Sequence, residues 1–209
     1  LADMLKKVGE HFGVKTDLVY TNMDQPLGNF SGMACEVLEA IDCLKGKGPE
    51  DTMAVSLKLS SKLMIQSGKA KDETESNLML NELINNGSAF DKFDEMISIQ
   101  GGDLNAFTNT PAFTHEIIAD KSGIIQSMNT TQIGWGLVDM GCGRKNKDDI
   151  LDATAGLECH YKIGEDIKNG DVLFTCFCDD GDKLKMGIEK ITDSISIGTE
   201  KVDVTLIYN

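Results

Sequence analysis

The chain has 209 residues, 41% hydrophobic and 26% charged, a composition that excludes a disordered or fibrous protein and can fill one sizeable core or two small ones. Asp and Glu number 34 against 20 Lys and Arg, and the net charge of −14 disfavours nucleic-acid binding through a general basic surface. No apolar run approaches the ~20 residues that span a bilayer, and the first residues do not read as a basic-then-apolar secretion signal, so no membrane partner is expected.

Leu1, Met4, Leu5, Val8 and Phe12 recur at helical spacing and predict a helix that Gly13 ends. Its apolar face starts at the first residue with no capping side chain before it, which reads either as a frayed native start or as a chain whose upstream part has been removed. Residues 17–21 (DLVYT) form a short strand candidate, and Pro26 and Gly28 punctuate the loop after it. Residues 31–45 predict a helix with Met33, Val37, Ile41 and Leu44 inward. Further helices are predicted over 50–65, 72–86 and 88–99, separated by Gly68 and Gly87 and stopped by Gly101-Gly102. The first of these carries acidic residues in its opening turn, where the helix macrodipole favours them.

After Pro111 the segments shorten and become strand-like. Residues 116–119, 123–128, 156–161, 172–178 and 202–208 are β candidates, and helices are predicted near 130–140 and 182–195. A boundary therefore falls between 103 and 114, taken at 108/109. Residues 1–108 are mostly helical with one strand, and residues 109–209 are α+β with antiparallel strands.

Candidate chemistry is sparse. His11, His115 and His160 share no i, i+3 or i+4 spacing, so no helical metal pair exists. Cys159 and His160 are adjacent in a strand candidate and face opposite ways, which argues against zinc. Cys176 and Cys178 share a strand face and read as small buried side chains. The six cysteines contain no CxxC pair, and reduced thiols in a cytoplasmic setting are expected.

No nucleophile elbow, Walker loop or dinucleotide fingerprint is present. The run Gly141-Cys142-Gly143-Arg144-Lys145 reads as a phosphate cradle or, preferred, as a tight turn after a helix. Glu36 and Glu39 lie three apart on one helix and read as a solvated acidic face. The sharper alternative is that Glu39 joins carbonyls of the irregular loop at 27–30 to bind a hard cation. Residues 162–173 read as strand, turn, strand and are similar to a turn of biotinyl- and lipoyl-type domains. Those carriers are modified on a hairpin-tip Lys, for which Lys121 is the nearest but poorly matching candidate.

The run Thr21-Asn22-Met23-Asp24-Gln25-Pro26-Leu27-Gly28, continued by Gly32-Met33-Ala34-Cys35-Glu36-Val37-Leu38-Glu39-Ala40, resembles the thymidine and pyrimidine-nucleoside phosphorylase family. The resemblance continues through Leu44-Lys45-Gly46-Lys47-Gly48-Pro49-Glu50-Asp51, Phe93-Asp94-Glu95-Met96-Ile97 and Gln100-Gly101-Gly102-Asp103. It extends over Gly141-Cys142-Gly143-Arg144-Lys145, Asp148-Asp149-Ile150-Leu151-Asp152 and residues 156–173, so it covers nearly the whole chain in order. Met33 stands where the family pattern has Asn.

The resemblance implies an α/β (α+β) protein. Residues 1–108 would be part of a large mixed-sheet α/β domain, and residues 109–209 a C-terminal antiparallel sandwich or hammerhead-like domain. It implies phosphate attack at C1′ of a pyrimidine nucleoside, in a longer homodimeric enzyme whose Lys-His-Ser phosphate loop and base-holding Arg, Ser and Lys lie upstream of this sequence. No catalytic residue and no organic cofactor are then expected here, and the chain alone is expected to be inactive and truncated. One site carries over: in the full-length protein a monovalent cation such as potassium would be held by the carbonyls of Leu27 and Phe30 and the carboxylate of Glu39, with weak or absent binding expected of this chain alone. Two other readings stay open: an AMP-phosphorylase-like enzyme, and a non-catalytic carrier-like module modified on Lys121.

Overall fold

A computed structural model describes residues 1–106 and 110–208, so the boundary expected at 108/109 lies outside the described residues. Helix α1 (Ala2–His11) leads to strand β1 (Tyr20–Thr21), an irregular loop and strand β2 (Phe30–Gly32). Helices α2 (Ala34–Leu44), α3 (Glu50–Gln66), α4 (Glu73–Asn85) and α5 (Ser88–Ile99) follow, then a 3-10 turn at Leu104–Ala106. The remainder runs β3 (Phe113–Ile118), β4 (Gly123–Met128), α6 (Thr130–Met140), β5 (Gly156–Cys159), β6 (Asp166–Ile167), β7 (Val172–Cys178), α7 (Gly181–Thr192), β8 (Ile195–Gly198) and β9 (Ile207–Tyr208).

Every strand pair among the described residues is antiparallel. The orders are β2-β5-β7-β3, β6-β4-β8 and β1-β9. The class is therefore α+β, with strands of the second half as expected. Two sheets also join the halves: β2 pairs Ser31 with Leu157, and β1 pairs Thr21 with Ile207. One core joins the strands to α6 and α7 through Ile125, Ile133, Met140, Leu157, Phe174 and Ile191. Each such fully buried side chain contributes about 1.5–3 kcal/mol.

Helices α6 and α7 pack at very close range because glycines face each other. A Cβ on Gly187 would meet Met140 Cγ at 2.3 Å, and one on Gly136 would meet Ile191 Cγ1 at 2.6 Å.

Several predicted elements are corrected. The helix expected from residue 31 starts at Ala34, because Ser31 and Gly32 are used in the ladder with β5. Its buried residues are Ala34, Cys35 and Glu39, whereas Val37 lies exposed. The segment 202–208 is strand only at Ile207–Tyr208. Helix α7 ends at Thr192, and the Ile195/Ile197 alternation becomes β8. Helix α1 buries no residue, and its apolar stripe is exposed.

The run 141–145 forms the turn. Gly141 closes α6 in the left-handed conformation at φ 108°, and Cys142 N–H returns to the Leu137 carbonyl at 2.9 Å. Lys145 is paired within the chain: with Lys190 of α7 it grips Asp139 of α6, whose side chain is 1% exposed. Burial pushes the Asp139 carboxyl up, but the two ammonium groups outweigh it and hold the group below its ordinary value. Its contribution to stability is therefore present above the unfolded carboxyl pKa and is lost as pH falls through the lower folded value.

Removing Lys145 or Lys190 singly to Ala is expected to cost about 1 kcal/mol, because the other half-exposed cation remains. Removing both strands a buried carboxylate and is expected to cost about 3–5 kcal/mol, more than the sum. Urea unfolding of the two single variants and the double variant measures this; strictly additive losses would contradict it.

Candidate functional site

The segment between β1 and β2 has no helix or ladder to satisfy its backbone, so it depends on side chains from elsewhere. Glu39 rises from α2, 9% exposed, and its Oε1 accepts the N–H groups of Asn29 at 2.8 Å and Phe30 at 3.2 Å. Gly28 donates its N–H to Asp51 Oδ2 at 3.0 Å. Asp51, in the first turn of α3, also accepts the Thr52 N–H at 2.8 Å on Oδ1.

The second half of the chain supplies the rest. Gln25 Oε1 accepts the Ile163 N–H at 2.8 Å, and the Asn29 carbonyl accepts the Cys159 N–H at 2.6 Å. Lys162 Nζ donates to the Pro26 carbonyl at 2.6 Å and to the Gly28 carbonyl, and lies 3.2 Å from Asp51 Oδ2. Thr130 of α6 fixes the loop's start by donating to the Met23 carbonyl at 3.0 Å.

Two carboxylates thus face one ammonium. For Asp51, burial pushes the carboxyl up, but the Lys162 ammonium and the Gly28 and Thr52 N–H groups hold it below its ordinary value. For Glu39 burial wins: the Asn29 and Phe30 N–H groups pull the carboxyl down, Asp51 pushes it up, Lys162 helps least, and it stays raised.

Glu39 Oε2 and the Leu27 carbonyl take part in no hydrogen bond among the described residues. Phe30 belongs to β2. A carboxylate left raised by desolvation is what a cation among carbonyl oxygens relieves. No group of three or more His, Cys, Asp or Glu that could hold a metal is found among the described residues.

Other sequence candidates fall elsewhere. Glu36 caps the β2–α2 turn by accepting the Gly32 N–H at 2.7 Å and is separate from the Glu39 cluster. Cys176 and Cys178 are buried, and burial pushes the Cys176 thiol up to about 12. His160 lies just beyond β5 and meets Thr175 Oγ1 at 2.8 Å through Nε2. Lys121 lies between β3 and β4, strands of different sheets, rather than at the tip of a paired hairpin.

Sequence reading assigned no role to Lys162 or Asp51. Lys162 meets the loop from 134 residues away at Gly28, and no local pattern announces such a pairing.

Comparisons with known proteins converge. The family described as pyrimidine nucleoside phosphorylase C-terminal domain matches residues 124–198. The chain is 38% identical over 182 residues to a thymidine phosphorylase of Metamycoplasma hominis, covering 85% of this chain and 67% of that protein. It is 33% identical over 213 residues to pyrimidine-nucleoside phosphorylases of Staphylococcus haemolyticus and Staphylococcus aureus, covering 100% of this chain and 49% of theirs. The chain thus spans about half the length of these staphylococcal relatives.

Gly28 adopts φ +72°, and a Cβ there would sit 2.1 Å from Glu39 Oε2 and 2.7 Å from Thr52 Oγ1. Gly28→Ala is expected to cost about 1–2 kcal/mol from the left-handed backbone, and roughly 1–3 kcal/mol more from the displaced carboxylate. In a Glu39→Ala background only the backbone cost and the Thr52 contact should remain. Urea denaturation across this double-mutant cycle measures the coupling; independent losses would contradict the packing of Gly28 on Glu39.

Proposed function

The chain belongs to the thymidine and pyrimidine-nucleoside phosphorylase family, and on that premise we propose that it forms the scaffold portion of an enzyme joining phosphate to the pentose of a pyrimidine nucleoside, with release of the base. The observation that carries this reading is the in-order similarity along the whole chain to proteins about twice as long. The phosphate and the base would be held by groups outside these 209 residues. This portion would hold those groups in register and move as one body when the substrate cleft closes.

A monovalent cation such as potassium would sit at the Leu27 and Phe30 carbonyls and Glu39. The raised Glu39 carboxyl and its free Oε2 support that assignment. The cation would supply charge neutralisation and fix the carbonyls of the loop. The protein's own residues do the positioning: Glu39 orients the Asn29 and Phe30 amides, and Asp51 orients Gly28. The working enzyme would be a homodimer in the cytoplasm. No helix among the described residues is long and apolar enough to cross a membrane. The placement of Lys121 between two strands of different sheets, rather than at a hairpin tip, speaks against a carrier module.

The chain alone is expected to give no phosphorolysis of thymidine or uridine in an assay of base release; turnover by the purified chain would overturn the division of labour. Fused behind the N-terminal half of the Staphylococcus haemolyticus relative, it is expected to restore potassium-stimulated turnover. Glu39→Gln in that fusion should remove the potassium stimulation while the fold survives. An unchanged potassium response would sink the cation assignment and leave the family reading intact.

A further inference from the structure

An ammonium group has three N–H donors. The Lys162 ammonium meets three oxygens: the Pro26 carbonyl, the Gly28 carbonyl and Asp51 Oδ2. Its side chain is 20% exposed and that of Asp51 19%, so water competes little for this set. Two carbonyls and a carboxylate are also the donor chemistry that holds potassium or ammonium ions.

The stem of Lys162 is itself held. Its backbone N–H donates to Glu165 Oε2 at 2.7 Å, and the neighbouring Ile163 N–H reaches Gln25 Oε1 at 2.8 Å. The turn bearing Lys162 hangs on β4, where the Gly164 N–H meets the Ile125 carbonyl at 2.8 Å. The ammonium is therefore delivered to the loop from a fixed position in the second half of the chain.

We propose that Pro26 O, Gly28 O and Asp51 Oδ2 form a monovalent-cation cage that Lys162 fills as a tethered cation, making Lys162 a positioning residue for the loop that carries Leu27, Phe30 and the Glu39 contacts. This cage uses a different set of oxygens from the cation site proposed at Glu39, and it stands whether or not the phosphorylase reading holds. Removing the side chain beyond Cβ leaves an oxygen-lined vacancy next to a half-buried carboxylate. Small monovalent cations occupy that vacancy, and large ones do not fit.

The test is chemical rescue of Lys162→Ala. Its Tm is expected to fall by roughly 5–10 °C. Ammonium or methylammonium chloride should recover most of the loss along a saturating curve, whereas tetramethylammonium chloride at the same concentration should not. Amide exchange at Gly28, Asn29 and Phe30 should quicken at least tenfold in Lys162→Ala and slow again with ammonium. Lys162→Met, which refills the volume without a charge, should lose stability and show no rescue. Lys162→Ala combined with Asp51→Asn should also show none.

Equal responses of Lys162→Ala and the unsubstituted chain to all three salts would overturn the proposal. If Lys162→Ala does not fold in sodium chloride, refolding in ammonium chloride decides. Recovery of folded protein only with ammonium supports the cage, and failure in both salts overturns it.

Discussion

A loop that belongs to neither a helix nor a sheet must have its polar backbone groups met from outside, and this constraint organises the middle of the molecule. Between Pro26 and Phe30 the N–H groups of Gly28, Asn29 and Phe30 are met by carboxylates, and the carbonyls of Pro26, Gly28 and Asn29 by an ammonium and a strand amide. Glu39 comes from α2, Asp51 from α3, and Lys162 and Cys159 from beyond β5 and its end. None of these elements can shift without leaving a partly buried polar group unpaired, at a cost of about 1–3 kcal/mol each. The loop is thus the place where the helices of the first half and the sheets of the second are held to one geometry.

The two halves are stabilised differently. Among the described residues, the buried members of the main core run from Ile117 to Ile191, with Ile195 and Ile197 packed against them. Helices α1 and α5 bury no residue, and Leu59, Leu63, Leu78 and Ile99 stand exposed on the first half. Hydrophobic burial therefore fixes the second half on its own, while the first leans on strand pairing and polar contacts with it. An enzyme about twice this length, as proposed, has further chain with which to cover such faces.

Helices α5 and α6 were legible because their apolar residues recur at helical spacing between capping residues, and strands β4 and β7 because each is a short run rich in β-branched or aromatic residues bounded by glycine or polar residues. Strands β2 and β8 were not, since a strand of three or four residues beside a helix carries too few side chains to show a period. The inward face of α2 was misread because its buried positions are the small Ala34 and Cys35 and the charged Glu39, not the large aliphatic ones. Glu39 itself was legible as a candidate from its type and its nearness to the loop. Lys162 was not, because its three partners lie in a loop and a helix more than one hundred residues earlier, and only folding brings them together.

The charge count around the loop separates the roles of its two carboxylates. Asp51 has the ammonium at 3.2 Å and is held ionised by it. Glu39 has only backbone amides in direct contact, and the same ammonium acts on it weakly. One cation supplied by the chain thus leaves one negative charge uncompensated, and that charge sits on the more buried group. Neutralising both from within would need a second lysine close to Leu27, where the oxygen donors already suit an exchangeable ion. Proton uptake by Glu39 is the other remedy, and it too would keep the Asn29 and Phe30 contacts on Oε1 provided the proton rests on Oε2. A cation at the proposed site and a proton would therefore compete for one oxygen, so binding of the ion at Glu39 would weaken as pH falls through the raised Glu39 value and strengthen above it.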